Sequence, residues 1–128
     1  MGDSRCYRLR DGSLERLTKD QNMAEVVVDS GIMSRAAADA SRLGHVLLSA
    51  VGSETLQLQV TSTDCQRTDV VLLCTDGLTR HVSEEEIRTR LASRASAETI
   101  CRDLVDLAVE RGGKDNVTVV AGRVREED

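Results

Sequence analysis

The sequence predicts an α+β fold, in one domain that spans residues 1–128. Three observations predict it: an early pair of short alternating segments, an apolar run at 70–75, and helical patterns grouped between the later strands. We count about five strands and four helices, an arrangement that suits α+β better than a doubly wound sheet. The chain contains no proline and no internal repeat.

Near the N-terminus, two short segments alternate apolar and polar residues on either side of Asp11-Gly12. An Asp-Gly pair between alternating segments favours a tight turn, so this stretch predicts a β-hairpin. The apolar residues that define the two strands are Tyr7, Leu9, Leu14 and Leu17.

Three stretches carry helical patterns. Residues 21–42 are rich in alanine, and Gly31 divides them into two short helices. Ser83 followed by Glu86 has the spacing of a capping box and predicts the start of a helix. A further helix ends at Gly112, and its apolar stripe indicates core packing. That stripe comprises Ala97, Ile100, Cys101, Leu104, Val105 and Ala108.

Three later stretches read as strands. Residues 56–60 alternate, with Leu56, Leu58 and Val60 on one face, which predicts a half-exposed antiparallel strand. The run from 70 to 75 is apolar on both faces, which predicts a central strand covered on both sides. The last strand is predicted at 117–124.

Composition excludes several classes of partner. The formal net charge is −5, the pI is about 5.1, and Tyr7 is the only aromatic residue, so nucleic acid and anionic membranes are not expected partners. No apolar run approaches the ~20 residues of a membrane span, and the N-terminus lacks the apolar segment of a signal peptide. We therefore expect a cytoplasmic protein.

The four cysteines lack CxxC spacing, so no zinc site is indicated.

Carboxylates stand at the ends of predicted strands. Asp76 directly follows the apolar run, Asp115 precedes the last strand, and Asp3 lies just ahead of the first. Loops at a sheet end converge, and clustered carboxylates are usually neutralised by a hard divalent cation such as Mg²⁺ or Mn²⁺. The alternative is structural, because Asp-Gly is a common turn and Asp-Asn suits a loop that enters a strand.

The order of the motifs resembles the C-terminal half of the metal-dependent serine/threonine protein phosphatases of type 2C, the PPM type. The matching segments, in order, are "GDSRCYRLRDGSLERLTKD", "LLSAVG", "DVVLLCTDGL", a helix pair and "GGKDNVTVV". The resemblance implies part of an antiparallel β-sandwich flanked by helices, with a binuclear Mn²⁺ or Mg²⁺ centre at one end. It further implies that a metal-bridging water attacks the phosphorus of phosphoserine or phosphothreonine in a protein substrate.

Carried over by position, the resemblance implies that Asp76 and Asp115 are metal ligands and that Asp3 is a candidate ligand of a third metal. Two positions depart from the family pattern. Arg80 stands where many members have a further aspartate, and a cation there opposes a third metal site. Asp20-Gln21 stands where an Asp-His pair is common, which removes a candidate proton-transfer group.

The family's N-terminal half is not represented in the sequence, including its Asp-Gly-His-Gly-Gly motif. Two functions therefore remain open. The first is the C-terminal part of a metal-dependent phosphoprotein phosphatase, active when the rest of the domain is present, either in the same polypeptide or as a separate N-terminal half. The second is an inactive truncated or pseudo-phosphatase that serves as a protein-binding module. Unpaired strand edges and apolar faces would favour docking with such a half or self-association.

Overall fold

A computed structural model describes residues 1–54, 56–113 and 115–125. The chain forms two compact units, each described here by itself. The sheet unit comprises Arg5–Thr18 and Thr61–Asp128, and the helical unit comprises Met1–Ser4 and Lys19–Val60. In chain order the elements are β1 (Arg5–Arg10), β2 (Ser13–Arg16), α1 (Met23–Asp29), α2 (Arg35–Asp39), a 3-10 turn (Leu43–His45), β3 (Val70–Cys74), α3 (Asp76–Thr79), α4 (Glu84–Leu91), α5 (Ala97–Glu110) and β4 (Val119–Arg123).

The sheet unit contains a four-stranded antiparallel sheet with the strand order β2-β1-β3-β4. The predicted hairpin is confirmed: β1 and β2 pair with Leu9 opposite Leu14, and the turn residues Asp11 and Gly12 have φ values of 48° and 78°. Positive φ at both positions is what a two-residue turn of this type requires, which explains the Asp-Gly pair.

One face of the sheet packs against α4 and α5 to form the core. Leu72 of β3 lies opposite both Tyr7 of β1 and Ala121 of β4, so β3 is central in the sheet as predicted. The buried core residues are Tyr7, Leu9, Val70, Leu72, Cys74, Leu78, Val82, Ile87, Leu91, Ile100, Leu104 and Ala108. The helical stripe predicted at 97–108 therefore does supply core packing, through Ile100, Leu104 and Ala108.

The opposite face of the sheet is open at Leu73, which corrects the prediction that β3 is covered on both sides. Side chains alternate between the faces of a strand, so Leu73 points away from the core that Leu72 enters. Leu73 is 50% exposed, and its neighbour Val120 on β4 is 58% exposed. An apolar residue on each face was a correct sign of a central strand, but it did not guarantee a layer on each face.

Tyr7, the only aromatic side chain, is fully buried yet has partners for its hydroxyl. The hydroxyl donates to Glu84 Oε1 at 3.0 Å and accepts from Arg5 Nη1 at 3.1 Å. Burial raises the pKa of Tyr7 to about 12, so the hydroxyl remains protonated across the physiological range.

An ion pair fixes the loop that leads into β3. Arg10 donates from Nε to Asp69 Oδ1 at 2.9 Å and from Nη2 to Oδ2 at 2.7 Å, the bidentate geometry that guanidinium and carboxylate favour. The amide of Gln66 also donates to Asp69 Oδ2, at 2.8 Å. These hydrogen bonds, led by the one from Arg10, lower the pKa of Asp69 to about 2.

The predicted capping box is present at the start of α4. The Ser83 hydroxyl accepts from the Glu86 amide at 3.3 Å, and the Glu86 carboxylate accepts from the Ser83 amide at 3.0 Å. Val82 and Ile87, which flank this turn, are both in the core. The cap and the burial of these two apolar side chains together determine where the helix begins.

The helical unit contains α1, α2 and the 3-10 turn. Asn22 caps α1 and Ser34 caps α2, and Gly31 between them has a φ of 69°, which confirms the predicted break. The buried carboxylate of Glu25 accepts two hydrogen bonds from Arg35, at 2.6 and 2.9 Å. This pair joins the two short helices.

The strand predicted at 56–60 is wrong. Within the described residues this segment belongs to no strand or helix, and Leu58 and Val60 are 68% and 86% exposed. Ser49 holds this segment in place. The Ser49 hydroxyl donates to the backbone carbonyl of Gln57 and accepts from the backbone amide of Gln57, both at 3.1 Å. Alternation predicts an extended backbone, but a strand also requires a neighbouring strand to complete its ladder.

Within 1–54, 56–113 and 115–125, no helix combines the length and apolar character that crossing a membrane would require.

Candidate metal site

The antiparallel pairing of β3 with β4 brings the two predicted metal ligands to one end of the sheet. Cys74, the last residue of β3, lies opposite Val119, the first residue of β4. The next residue, Thr75, extends the pairing: its amide donates to the carbonyl of Thr118 at 3.1 Å, and its hydroxyl accepts from the Thr118 amide at 3.0 Å. Asp76 therefore leaves the sheet where the segment containing Asp115 enters it.

Gly77 allows the two segments to approach closely. A β-carbon built on Gly77 would lie 2.4 Å from the carbonyl oxygen of Asn116 and 3.3 Å from a methyl group of Val117. A distance of 2.4 Å is far below van der Waals contact, so a residue with a side chain does not fit there without movement of the backbone. Gly77 is thus needed for the packing of these two segments.

A single guanidinium links the two carboxylates. Arg80 Nη2 forms an ion pair with Asp76 Oδ2, and Arg80 Nη1 lies 3.6 Å from Asp115 Oδ2. Asp115 Oδ1 accepts a hydrogen bond from the backbone amide of Asn116 at 2.8 Å. Asp76 and Asp115 therefore lie close enough to share one cation, with Asp76 the less exposed of the two, at 23% against 50%.

Asp3 lies in the helical unit, where it is half-buried. Gln21 anchors the segment around Asp3 with two hydrogen bonds to Gly2. The side-chain oxygen of Gln21 accepts from the Gly2 backbone amide at 3.0 Å, and the backbone amide of Gln21 donates to the Gly2 carbonyl at 2.9 Å. Gln21 Nε2 also donates to the carbonyl of Gln57 at 3.2 Å. The residue that replaces a histidine of the family pattern thus has a structural function.

His81 contributes its backbone to the fold. Its carbonyl accepts from Arg111 Nη1 at 3.0 Å, and the same guanidinium binds the carboxylate of Glu86 at 2.5 and 2.8 Å. Arg111, and next the Ser83 amide, lower the pKa of Glu86 to about 2. Among the described residues, no group of three or more histidine, cysteine, aspartate or glutamate side chains is arranged to hold a metal ion.

Two features of this site were missed in the sequence. Asp76 and Arg80 are four residues apart, the spacing at which opposite charges pair on one side of a helix, so the sequence could have indicated this ion pair. The contact of Arg80 with Asp115 depends on the close approach at Gly77, and no sequence pattern indicates it.

Comparisons with known proteins agree with this fold. No family model matches the chain. The serine/threonine protein phosphatase PstP of Mycobacterium tuberculosis is 37% identical over 128 residues, which are 100% of this chain and 25% of that protein. A crystal structure of the M. tuberculosis phosphatase PstP/Ppp superposes with a TM-score of 0.91 at 35% identity, covering 98% of this chain and 53% of that one. A crystal structure of the PstP catalytic domain with two manganese ions superposes with a TM-score of 0.79 at 38% identity, covering 94% and 49%.

These similarities, with the antiparallel sheet and its flanking helices, define the chain as a member of the serine/threonine protein phosphatases. Within that class it belongs to the PPM type and corresponds to the C-terminal half of the solved domains, which confirms the resemblance seen in the sequence. The chain spans a quarter of the length of the M. tuberculosis relative and about half the length of the solved structures.

Proposed function

We propose that the chain provides the C-terminal part of a metal-dependent phosphatase that acts on phosphoserine and phosphothreonine in proteins, with Asp76 and Asp115 as metal ligands. The observation that carries this proposal is the placement of both carboxylates against the single guanidinium of Arg80. Two carboxylates that lie close enough to share the guanidinium of Arg80 are also close enough to share a divalent metal ion in its place. The names of the relatives supply the reaction and the substrate class.

The residues fit Mn²⁺ or Mg²⁺. Both ions prefer oxygen ligands, and Mg²⁺ needs only one or two protein carboxylates because it retains several waters. A bound divalent ion would supply a nucleophile at neutral pH by lowering the pKa of its water. Asp76 and Asp115 would hold and orient the ion, and the glycine at 77 keeps their two segments together. The PstP catalytic domain was solved in complex with two manganese ions, which supports metal dependence.

The rest of the active site is proposed to come from a segment equivalent to the N-terminal half of the relatives, whether in the same polypeptide or a separate one. The open face of the sheet supports this, because Leu73 and Val120 leave apolar surface uncovered among the described residues. Exposed apolar faces of this kind mark interaction surfaces. A cytoplasmic location remains a prediction.

A second function, a catalytically inactive binding module, is favoured by Arg80. Its guanidinium pairs with Asp76 and lies near Asp115, so part of the charge that would attract a metal is already neutralised. In this case the open sheet face would bind a protein partner, and the carboxylates would be structural.

The two functions are separated by titrating Mn²⁺ into the chain and into Asp76→Asn, with free Mn²⁺ measured by electron paramagnetic resonance. The matched control is Asp103→Asn, which removes a carboxylate paired with Arg90 on the surface. We expect Asp76→Asn, and not the control, to weaken binding. Binding indifferent to Asp76→Asn would remove its proposed role.

Hydrolysis of a phosphothreonine peptide is then measured with and without the N-terminal half of the M. tuberculosis relative. We expect turnover only when that half is added, and none in Asp76→Asn. Robust turnover by the chain alone would contradict the need for a second segment. The absence of turnover in every combination would favour the binding module.

A further inference from the structure

We propose that Arg80 competes with the divalent cation for the principal carboxylate pair, so that a metal binds at Asp76 and Asp115 only after the guanidinium leaves them. This inference rests on the proposed metal site and adds an internal regulator of its affinity. The sequence indicates only that a cation at this position opposes a third metal. The structure places the same cation on the two main ligands.

The geometry supports competition for the same atoms. Arg80 is the C-terminal cap residue of α3, one turn after Asp76, so both side chains lie on one side of the helix. The guanidinium contacts Oδ2 of Asp76 and lies 3.6 Å from Oδ2 of Asp115. A guanidinium donates to carboxylate lone pairs, and a divalent cation binds those same lone pairs. An ion placed between the carboxylates therefore meets the guanidinium.

Charge repulsion acts in the same direction. The two carboxylates and Arg80 carry a net charge of −1, whereas the carboxylates alone would carry −2. A divalent cation is therefore attracted less strongly while the guanidinium stays, and two cations on the same carboxylates repel each other. Moving Arg80 into solvent removes both penalties.

Competition should weaken metal binding without abolishing it. The Arg80 side chain is 37% exposed, so it has room to rotate towards water. Ion pairs with this degree of exposure are individually weak, so we expect removal of Arg80 to tighten Mn²⁺ binding by about threefold to tenfold.

The test compares Mn²⁺ affinity in the 128-residue chain, Arg80→Gln, Asp76→Asn and the double variant, by electron paramagnetic resonance of free Mn²⁺. Arg102→Gln is the matched control, because Arg102 pairs with Glu98 at the same spacing of four on α5 and its removal changes the net charge equally. We expect Arg80→Gln alone to bind more tightly, and the gain to vanish when Asp76→Asn is added.

A second measurement follows the guanidinium itself. In ¹⁵N-labelled chain, the Nε–H resonance of Arg80, assigned by its absence in Arg80→Gln, should shift as Mg²⁺ is added. The resonance of Arg102 should not shift.

The outcomes separate the inference from the function on which it rests. Mn²⁺ binding that depends on Asp76 but has equal strength in wild type and Arg80→Gln would overturn the inference alone. An equal gain in Arg102→Gln would show an effect of net charge and would also overturn it. No binding in any variant would overturn the proposed metal site, and the inference with it.

Discussion

The carbonyl oxygen of Asn116 occupies the space that a β-carbon on Gly77 would need, at 2.4 Å from its ideal position. Because the obstructing atom belongs to the backbone, it cannot be moved by rotating a side chain. Substitution of this glycine therefore has to separate α3 from the segment that carries Asp115.

We expect Gly77→Ala to lower the free energy of unfolding by about 1–3 kcal/mol, the usual range for overpacking. Urea unfolding followed by circular dichroism measures this loss. The control is Gly122→Ala in β4, where an added β-carbon meets no atom within 4 Å and the change should stay within about 0.5 kcal/mol. Gly77→Ala should also weaken Mn²⁺ binding, and a variant with wild-type stability and affinity would show that the close approach has no consequence.

The two faces of β3 should respond differently to truncation. Leu72 is fully buried, so Leu72→Ala should cost about 2–5 kcal/mol, whereas Leu73→Ala on the open face should cost well under half as much. Urea midpoints of the two variants test this difference. Equal losses would mean that the face bearing Leu73 is covered in solution, for example by a second copy of the chain.

Local signals in the sequence were sufficient for the hairpin and the helix starts. Asp11-Gly12 specified a turn that needs positive φ at both positions, and Ser83 with Glu86 specified a cap, because both features depend only on neighbouring residues. Leu73 and the segment at 56–60 were misjudged because their burial and pairing depend on layers and strands elsewhere. An apolar pattern shows which surface can be buried, and it does not show what covers it.

The same reasoning applies to the candidate site. The position of Asp76 after one strand and Asp115 before the next predicted a common end of the sheet, because antiparallel neighbours place these ends together. The double contact of Arg80 was missed, since it depends on a spatial approach between residues 35 positions apart, from 80 to 115.

Acid should weaken the anchoring of the loop before β3. The pKa of Asp69 is lowered to about 2, chiefly by Arg10, so it lies below the value in the unfolded chain. The carboxylate therefore contributes its full stabilisation above the unfolded value near pH 4, and this contribution is lost as the pH falls towards 2. Asp69→Asn should flatten the decline in unfolding free energy over that interval.

The control for this experiment is Asp106→Asn, the same substitution at an exposed residue of α5. A residual slope is expected in Asp69→Asn, because the pKa of Glu86 is also lowered to about 2 by Arg111. Identical acid profiles in wild type and Asp69→Asn would contradict the assigned ion pair.

Loss of the cap on α4 should destabilise the sheet unit measurably. Ser83→Ala removes the hydroxyl that accepts from the Glu86 amide, at a cost of about 1 kcal/mol. Ser83→Thr retains a capping oxygen and should remain near wild type. Thermal unfolding monitored by circular dichroism compares the two, and a Thr variant as unstable as the Ala variant would argue that steric fit, not capping, determines this position.

The buried position of Tyr7 makes it a natural optical reporter. The chain has no tryptophan or phenylalanine, so tyrosine fluorescence and near-ultraviolet absorbance arise from this one side chain. The Tyr7 hydroxyl bonds to Arg5 and Glu84, which both belong to the sheet unit. The intensity of tyrosine fluorescence and the position of the absorbance band should therefore change when the sheet unit unfolds, and should stay constant when only the helical unit unfolds. Unlabelled protein can thus distinguish partial melting from complete melting.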